Sequence, residues 1–138
     1  MPNDQGPNDP IHPVGHPVGE LSLRTVAMPA DTNPAGDIFG GWIMSLMDLA
    51  AGIAAGSRAK GRVATAAASN LSFLRPVKVG DVVCVYTDVK RIGRTSLTVG
   101  VETFVLRRNQ GEREKVTAGE FVMVAVDEHG TPRPVPPA

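Results

Sequence analysis

DTNPAGDIFGGWIMSLMDLAAGIAAG, Asp31 to Gly56 of a 138-residue chain, holds one carboxylate, Asp48, in the middle of a run otherwise free of charge from Ile38 to Ser57. A run of about 20 residues matches the thickness of a bilayer. A carboxylate near its midpoint would be costly in hydrocarbon, however, and Gly40, Gly41, Gly52 and Gly56 make the run small-sided rather than greasy. At helical spacing Phe39, Ile43, Leu46, Met47, Ala50, Ile53 and Ala54 form a wide apolar face, and Gly41, Ser45, Asp48, Gly52 and Ala55 a narrow face of small residues. The pattern predicts a buried central helix covered on both sides, and no membrane span.

The cover lies downstream. NLSFL (70–74) alternates, RPVKVGD (75–81) breaks the chain, and VVCVYTDV (82–89) sets Val83, Val85 and Val89 on one side. SLTVGVETFV (96–105) places Leu97, Val99, Val101 and Val105 on one face, and KVTAGEFVMVAV (115–126) is a last strand. With LSLRTVAM (21–28) at the front, the order is one strand, one long helix and four strands joined by short turns. That connectivity suits an α+β fold in which an antiparallel sheet curls round one helix. Such a sheet leaves apolar surface elsewhere, so at least a homodimer is expected.

Composition narrows the partners. With 42% hydrophobic residues, 20% charged residues and a formal net charge of +0, the chain reads as one globular domain with material for a core. Fourteen Lys and Arg against fourteen Asp and Glu, with six aromatic side chains, leave no basic field and few stacking platforms, so nucleic acid is not an expected partner. The single cysteine, Cys84, lies in the alternating VVCVYT and reads as an inert strand residue in a reducing, cytoplasmic compartment.

Both ends read as lying outside the fold. Residues 1–19 carry five of the twelve prolines and the tandem HPVGHPVG, a flexible arm without periodicity. His12 and His16 stand four apart, but Pro13 and Pro17 prevent the helix that would align them, so no metal site is expected. No positively charged start precedes an apolar segment, so no secretory signal is read. The domain is placed at 20–130, followed by a Pro-rich tail at 131–138.

AMPADTNPAGDIFGGWIMSLMDLAAGIAA (27–55) followed by NLSFLRPVKVGDVVCVYTDVKRIGRTSLTVGVE (70–102) resembles the YciA-type acyl-CoA thioesterases of the hotdog-fold superfamily. The likeness spans residues 20 to about 130. It implies a hotdog fold, hydrolysis of acyl-CoA in fatty acyl metabolism without a cofactor, and a homohexamer built as a trimer of dimers with sites at subunit interfaces.

Thioester hydrolysis needs a group that polarises the carbonyl, a base or nucleophile, and a place for the CoA. Gly40 and Gly41 open the central helix, where unsatisfied N–H groups and the positive dipole end meet a residue type that permits close approach. Unaided, the pair reads equally as tight packing or a hinge; the resemblance implies an oxyanion role. The resemblance also implies that Asp48, at the MD position of the helix, is the catalytic carboxylate, whether general base on water or direct nucleophile. A buried setting would favour a basic, reactive carboxylate; the bland alternative is an Asp that only holds the fold. Asn33 and Asp37 precede the helix. Asp37 reads first as an N-cap, and by resemblance both could position water or carbonyl across the dimer.

For the CoA, DVKRIGRTS (88–96) sets Lys90, Arg91 and Arg94 around Gly93 at an expected hairpin turn, with Thr95 and Ser96 hydroxyls beside them. Guanidinium and hydroxyl groups suit a pyrophosphate; unaided, charges at a turn read first as merely solvated, and it is the resemblance that implies that this segment holds the nucleotide. RPVK, with Arg75 and Lys78, reads first as a surface loop and only second as a further contact. The absence of a G-x-S-x-G elbow and of any histidine from 17 to 128 removes Ser-His and Cys-His catalysis from the core and argues against a dehydratase. A non-catalytic acyl-CoA-binding module and an acyl-carrier thioesterase remain as rivals.

Overall fold

A computed structural model describes residues 16–107 and 111–138. The elements are β1 (Glu20–Val26), a single 3-10 turn (Pro29–Asp31), α1 (Gly40–Ala59), β2 (Val63–Phe73), β3 (Val82–Ile92), β4 (Ser96–Leu106) and β5 (Arg113–Ala125). All five strands join one antiparallel sheet in the order β1-β3-β4-β5-β2, curled round α1. This is the expected order of one strand, one helix and four strands. No helix among the described residues is long and apolar enough to cross a membrane.

The core lies between α1 and the concave face of the sheet. Ile43, Met47, Ala50, Ala51, Ala55 and Ala59 present one buried stripe of the helix, and Val83, Val85, Leu97, Val99, Val101 and Val105 meet it from the strands. Alanines let the helix sit close to the sheet. The large contacts come from Met47 and Ile43, each contributing roughly 1.5–3 kcal/mol through burial. On the convex face a smaller cluster forms around Cys84, Tyr86 and Phe104, with the Tyr86 and Phe104 rings edge-on at 5.7 Å. Arg24 Nε donates to Cys84 Sγ at 3.4 Å, and that bond raises the guanidinium pKa above its ordinary value.

Three expectations need correction. First, the helix is covered on one side only: Leu49 is 57% and Ile53 48% exposed, and Ser45 and Gly52 are not buried. The described residues form one sheet, and it packs on one face of the helix. Secondly, β2 starts at Val63, seven residues before NLSFL. VATAAAS has no large apolar residue in alternation, and it is a strand because β5 pairs with it from Val63↔Ala125 to Phe73↔Thr117. Its other edge is unpaired among the described residues, and most of the strand is exposed. Thirdly, residues 131–138 fold back over the domain: Pro132 bridges Val126, and Val135 packs against the main core. At the front, residues 1–15, including His12 and the first HPVG, lie outside the described residues. Val18 N–H donates to Glu102 Oε1 at 2.7 Å, so the described end of the arm touches the sheet.

Candidate active site

The loop from Thr32 to Ile38 is closed by its own asparagine. Asn33 Oδ1 accepts from the N–H groups of Ala35 (3.0 Å) and Asp37 (3.1 Å), and Asn33 N–H donates to Asp37 O at 2.7 Å. Gly36 turns the chain at φ 89°, a region that favours glycine. The loop hands the chain to α1 at Phe39, the N-cap, in extended geometry with no side-chain cap. Asp37 therefore does not cap the helix. Its carboxylate pairs with Lys78 instead, and the pair ties this loop to the turn before β3.

The uncapped end leaves the first-turn donors open. Among the described residues no acceptor takes the Gly40 or Gly41 N–H, and a helix start is where such groups carry positive partial charge. Tight packing also accounts for the glycines in part: a Cβ at Gly40 would lie 3.3 Å from the Phe73 ring, and one at Gly41 2.8 Å from the Phe39 ring. A cleft of about 380 Å³ runs beside this end, lined by Ile38, Gly40, Phe73, Arg75 and Thr117 among others.

Asp48 lies two turns further on, half-buried rather than buried. It sits in a shallow groove of about 430 Å³ with Leu49, Gly52, Ile53, Gly56 and Met123. Thr65 Oγ1 donates to Asp48 Oδ1 at 2.5 Å, and among the described residues no cation pairs with the carboxylate. Thr65 is a site residue that sequence reasoning missed. It is one hydroxyl in an alanine-rich segment, and only the pairing of β2 with β5, which sets Thr65 opposite Met123, brings it to the helix.

The expected catalytic set does not converge within one chain. Asp48 is eight positions beyond Gly40, about 12 Å along the axis at 1.5 Å per residue. That is too far for both to act on one carbonyl.

The turn expected to hold the nucleotide is present as Gly93–Thr95 between β3 and β4, with Gly93 N–H donating to Ser96 O at 2.8 Å. Thr95 O accepts from Ala125 N–H at 2.8 Å, two residues along β5 from Met123, so the turn lies at the helix C-terminal end of the domain. Its cations are partly engaged: Lys90 pairs with Glu120 at 3.1 Å, and Arg91 donates to Thr98 Oγ1 at 3.4 Å. The Arg94 side chain is exposed. None of these residues lines the Asp48 groove. Among the described residues no group of three or more His, Cys, Asp or Glu could hold a metal ion.

Residues 35–111 match the model of a family described as the thioesterase superfamily. The acyl-CoA thioester hydrolase YciA of Salmonella typhimurium is 51% identical over 123 residues, 87% of this chain and 92% of that protein. Among solved structures, a hexameric thioesterase from Yersinia pestis superposes with a TM-score of 0.85 at 49% identity, covering 89% of this chain and 100% of the other. An Asp-to-Ala mutant of a hexameric, broad specificity acyl-coenzyme A thioesterase gives 0.84 at 48% identity, covering 86% and 88%. With a family model across more than half its length and relatives matched along nearly all of theirs, the chain belongs to the thioesterase superfamily, in its YciA-type branch of hotdog-fold acyl-CoA thioester hydrolases.

Proposed function

We propose that this chain hydrolyses the thioester of acyl-CoA to the free acid and CoA, in sites formed between copies of itself. The observation that carries the proposal is Asp48: a half-buried carboxylate without a cation partner among the described residues, on an exposed helix face otherwise made of small and apolar residues. Covering that face with a second copy would take the carboxylate out of water, a cost that a purely structural role would not repay.

Gly40 and Gly41 of one copy would donate their N–H groups to the carbonyl oxygen, taking up negative charge as the carbonyl carbon becomes tetrahedral. Asp48 of the other copy would act on that carbon. As a general base it removes a proton from water, the hydroxyl oxygen bonds to carbon, and collapse breaks the C–S bond, the departing sulfur taking the proton back. As a nucleophile its oxygen bonds to that carbon and the C–S bond breaks, releasing CoA as the thiolate, which takes a proton from solvent; water then opens the mixed anhydride to the free acid and the Asp48 carboxylate. Asn33 and Asp37, on the loop before the helix, support the approach; the Nδ2 donors of Asn33 have no partner among the described residues. Lys90, Arg91, Gly93, Arg94, Thr95 and Ser96 receive the nucleotide phosphates.

Two independent features support the assembly. The exposed apolar residues on α1 and the edge of β2 left unpaired among the described residues both ask for cover, and the similar hexameric thioesterases support a homo-oligomer, which we take to be a trimer of dimers. The test is free-thiol release from acyl-CoAs of increasing chain length, by wild type and Asp48→Asn, with the assembly state checked by light scattering. Wild-type turnover that falls roughly 10²-fold in the mutant, with CoA binding retained, is the expected result. Tight acyl-CoA binding without turnover on any substrate would replace the enzyme with a binding module.

A further inference from the structure

The segment PRPVPP, residues 132–137, leaves the backbone only two N–H groups, those of Arg133 and Val135. Both are used: Arg133 N–H donates to Ala125 O at 2.9 Å, and Val135 N–H to Arg94 O at 2.8 Å. A strap whose every donor is spent on the domain is a docked element, and its prolines reduce the entropy lost on docking.

The side chains extend the attachment to the helix. Arg133 Nε donates to Val126 O at 3.0 Å and its Nη2 to Ala59 O at 3.0 Å. Ala59 ends α1, so its carbonyl is one of the acceptors the helix leaves unsatisfied, at the negative end of the dipole. Gly61 makes room, since a Cβ there would lie 2.6 Å from Arg133 Nη2. Arg58 Nη1 donates to Pro136 O at 2.7 Å. One short segment thus ties together the end of the helix, the end of β5 and the β3–β4 turn.

That turn has few anchors of its own. Beyond the Gly93–Ser96 bond and the Ala125–Thr95 bond, the Val135 N–H is the only described backbone contact holding Arg94 to the body of the domain. We infer that residues 132–137 are a brace that positions the β3–β4 turn for the CoA nucleotide, with Arg133 as the positioning residue. The inference rests on the assignment of that turn to CoA proposed above. Arg133 touches no substrate; it anchors the segment whose Val135 fixes the Arg94 backbone, so less freedom is lost when the guanidinium engages phosphate.

The experiment compares wild type, Arg133→Ala, Val135→Pro and a chain ending at Thr131, with Arg94→Ala beside them. Each is assayed on an acyl-CoA and on the pantetheine thioester of the same acid, which lacks the nucleotide. Val135→Pro deletes the one N–H that reaches Arg94 and keeps the polyproline backbone, so the test survives if the truncated chain does not fold. The expected result is a KM for acyl-CoA raised about fivefold or more in every tail variant with kcat within about twofold, and an unchanged KM for the pantetheine thioester. Equal losses on both substrates, or a lowered melting temperature with unaltered KM, would make the brace structural only and overturn the inference. If Arg94→Ala raises KM for acyl-CoA while the tail variants do not, the brace alone fails. If Arg94→Ala leaves KM unchanged, the turn does not hold CoA and the inference falls with that assignment.

Discussion

The Thr65 hydroxyl reaches Asp48 Oδ1 at 2.5 Å from a strand on the sheet's edge, fixing the carboxylate that α1 exposes. A hydrogen bond to a charged group contributes about 1.5–3 kcal/mol. If that bond orients Asp48 for attack, Thr65→Val lowers kcat roughly tenfold or more while KM stays near wild type, and Thr65→Ser restores most of the rate. Steady-state thiol release decides it; a full-rate Thr65→Val enzyme would sink the orienting role.

Oxygen labelling tests whether Asp48 attacks directly. In a single turnover in H2(18)O with enzyme in excess, water activated by Asp48 puts the label in the released acid, whereas an unlabelled acid with label in the Asp48 side chain shows an anhydride opened at the Asp48 carboxyl carbon. Peptide mass spectrometry of the segment containing Asp48 reads the result.

The open helix face predicts obligate assembly. Leu49 and Ile53 are the large apolar residues exposed beside Asp48. The double variant Leu49→Glu, Ile53→Glu places carboxylates where a second copy would pack, and is expected to shift the protein to smaller species and abolish turnover together. Asp48→Asn, by contrast, should lose turnover in the intact assembly. Light scattering with activity on the same fractions separates the two; an active, dissociated double variant would refute shared sites.

Among the described residues, Arg107 is the cation with the most side-chain hydrogen bonds. It donates to Asp81 Oδ2 at 2.7 Å, to Pro76 O at 2.8 Å and to Glu114 Oε1 at 3.1 Å, and the Asp81 side chain is only 6% exposed. Arg107→Ala strands that carboxylate, with an expected loss of about 3 kcal/mol. Urea unfolding should show a lower midpoint at an unchanged slope; an unmoved midpoint would mean that water replaces the guanidinium at no cost.

Thr103 offers the reverse case. Its Oγ1 is buried in the core without a hydrogen-bond partner among the described residues. Thr103→Val keeps the shape and removes the desolvated oxygen, so the melting temperature should rise, by an amount corresponding to about 1 kcal/mol. A drop in melting temperature would show that the hydroxyl is satisfied after all.

These residues also show where sequence reading stops. Val83, Val85, Leu97, Val99, Val101 and Val105 were legible because large apolar side chains recur every second residue, and α1 because its apolar residues recur at helical spacing. The start of β2 was not legible, because alanines carry no periodicity and the strand exists through its partner β5. The face of α1 that stays open was misjudged, since an apolar residue in a sequence does not say which molecule will cover it. In the site, Asp48 stood out as a charge among neutral residues, and the resemblance gave it a role. Thr65 had no such contrast, and the Asp37–Lys78 pair joins residues forty-one positions apart. The proline-rich tail after residue 131 reads as a stop, because it has no periodicity and the Arg94 carbonyl that accepts from its Val135 N–H is far away in the chain.

About two helical turns lie between Gly40 and Asp48, about 12 Å by rise alone. On the proposed mechanism each chain then carries two halves of different sites, so damage is shared unequally. A chain lacking Asp48, mixed with one whose helix start is blocked, would still complete one working site in every mixed pair. In a tandem fusion of two copies the same arithmetic would let each half discard what the other supplies, leaving a single asymmetric centre where two equal ones had stood.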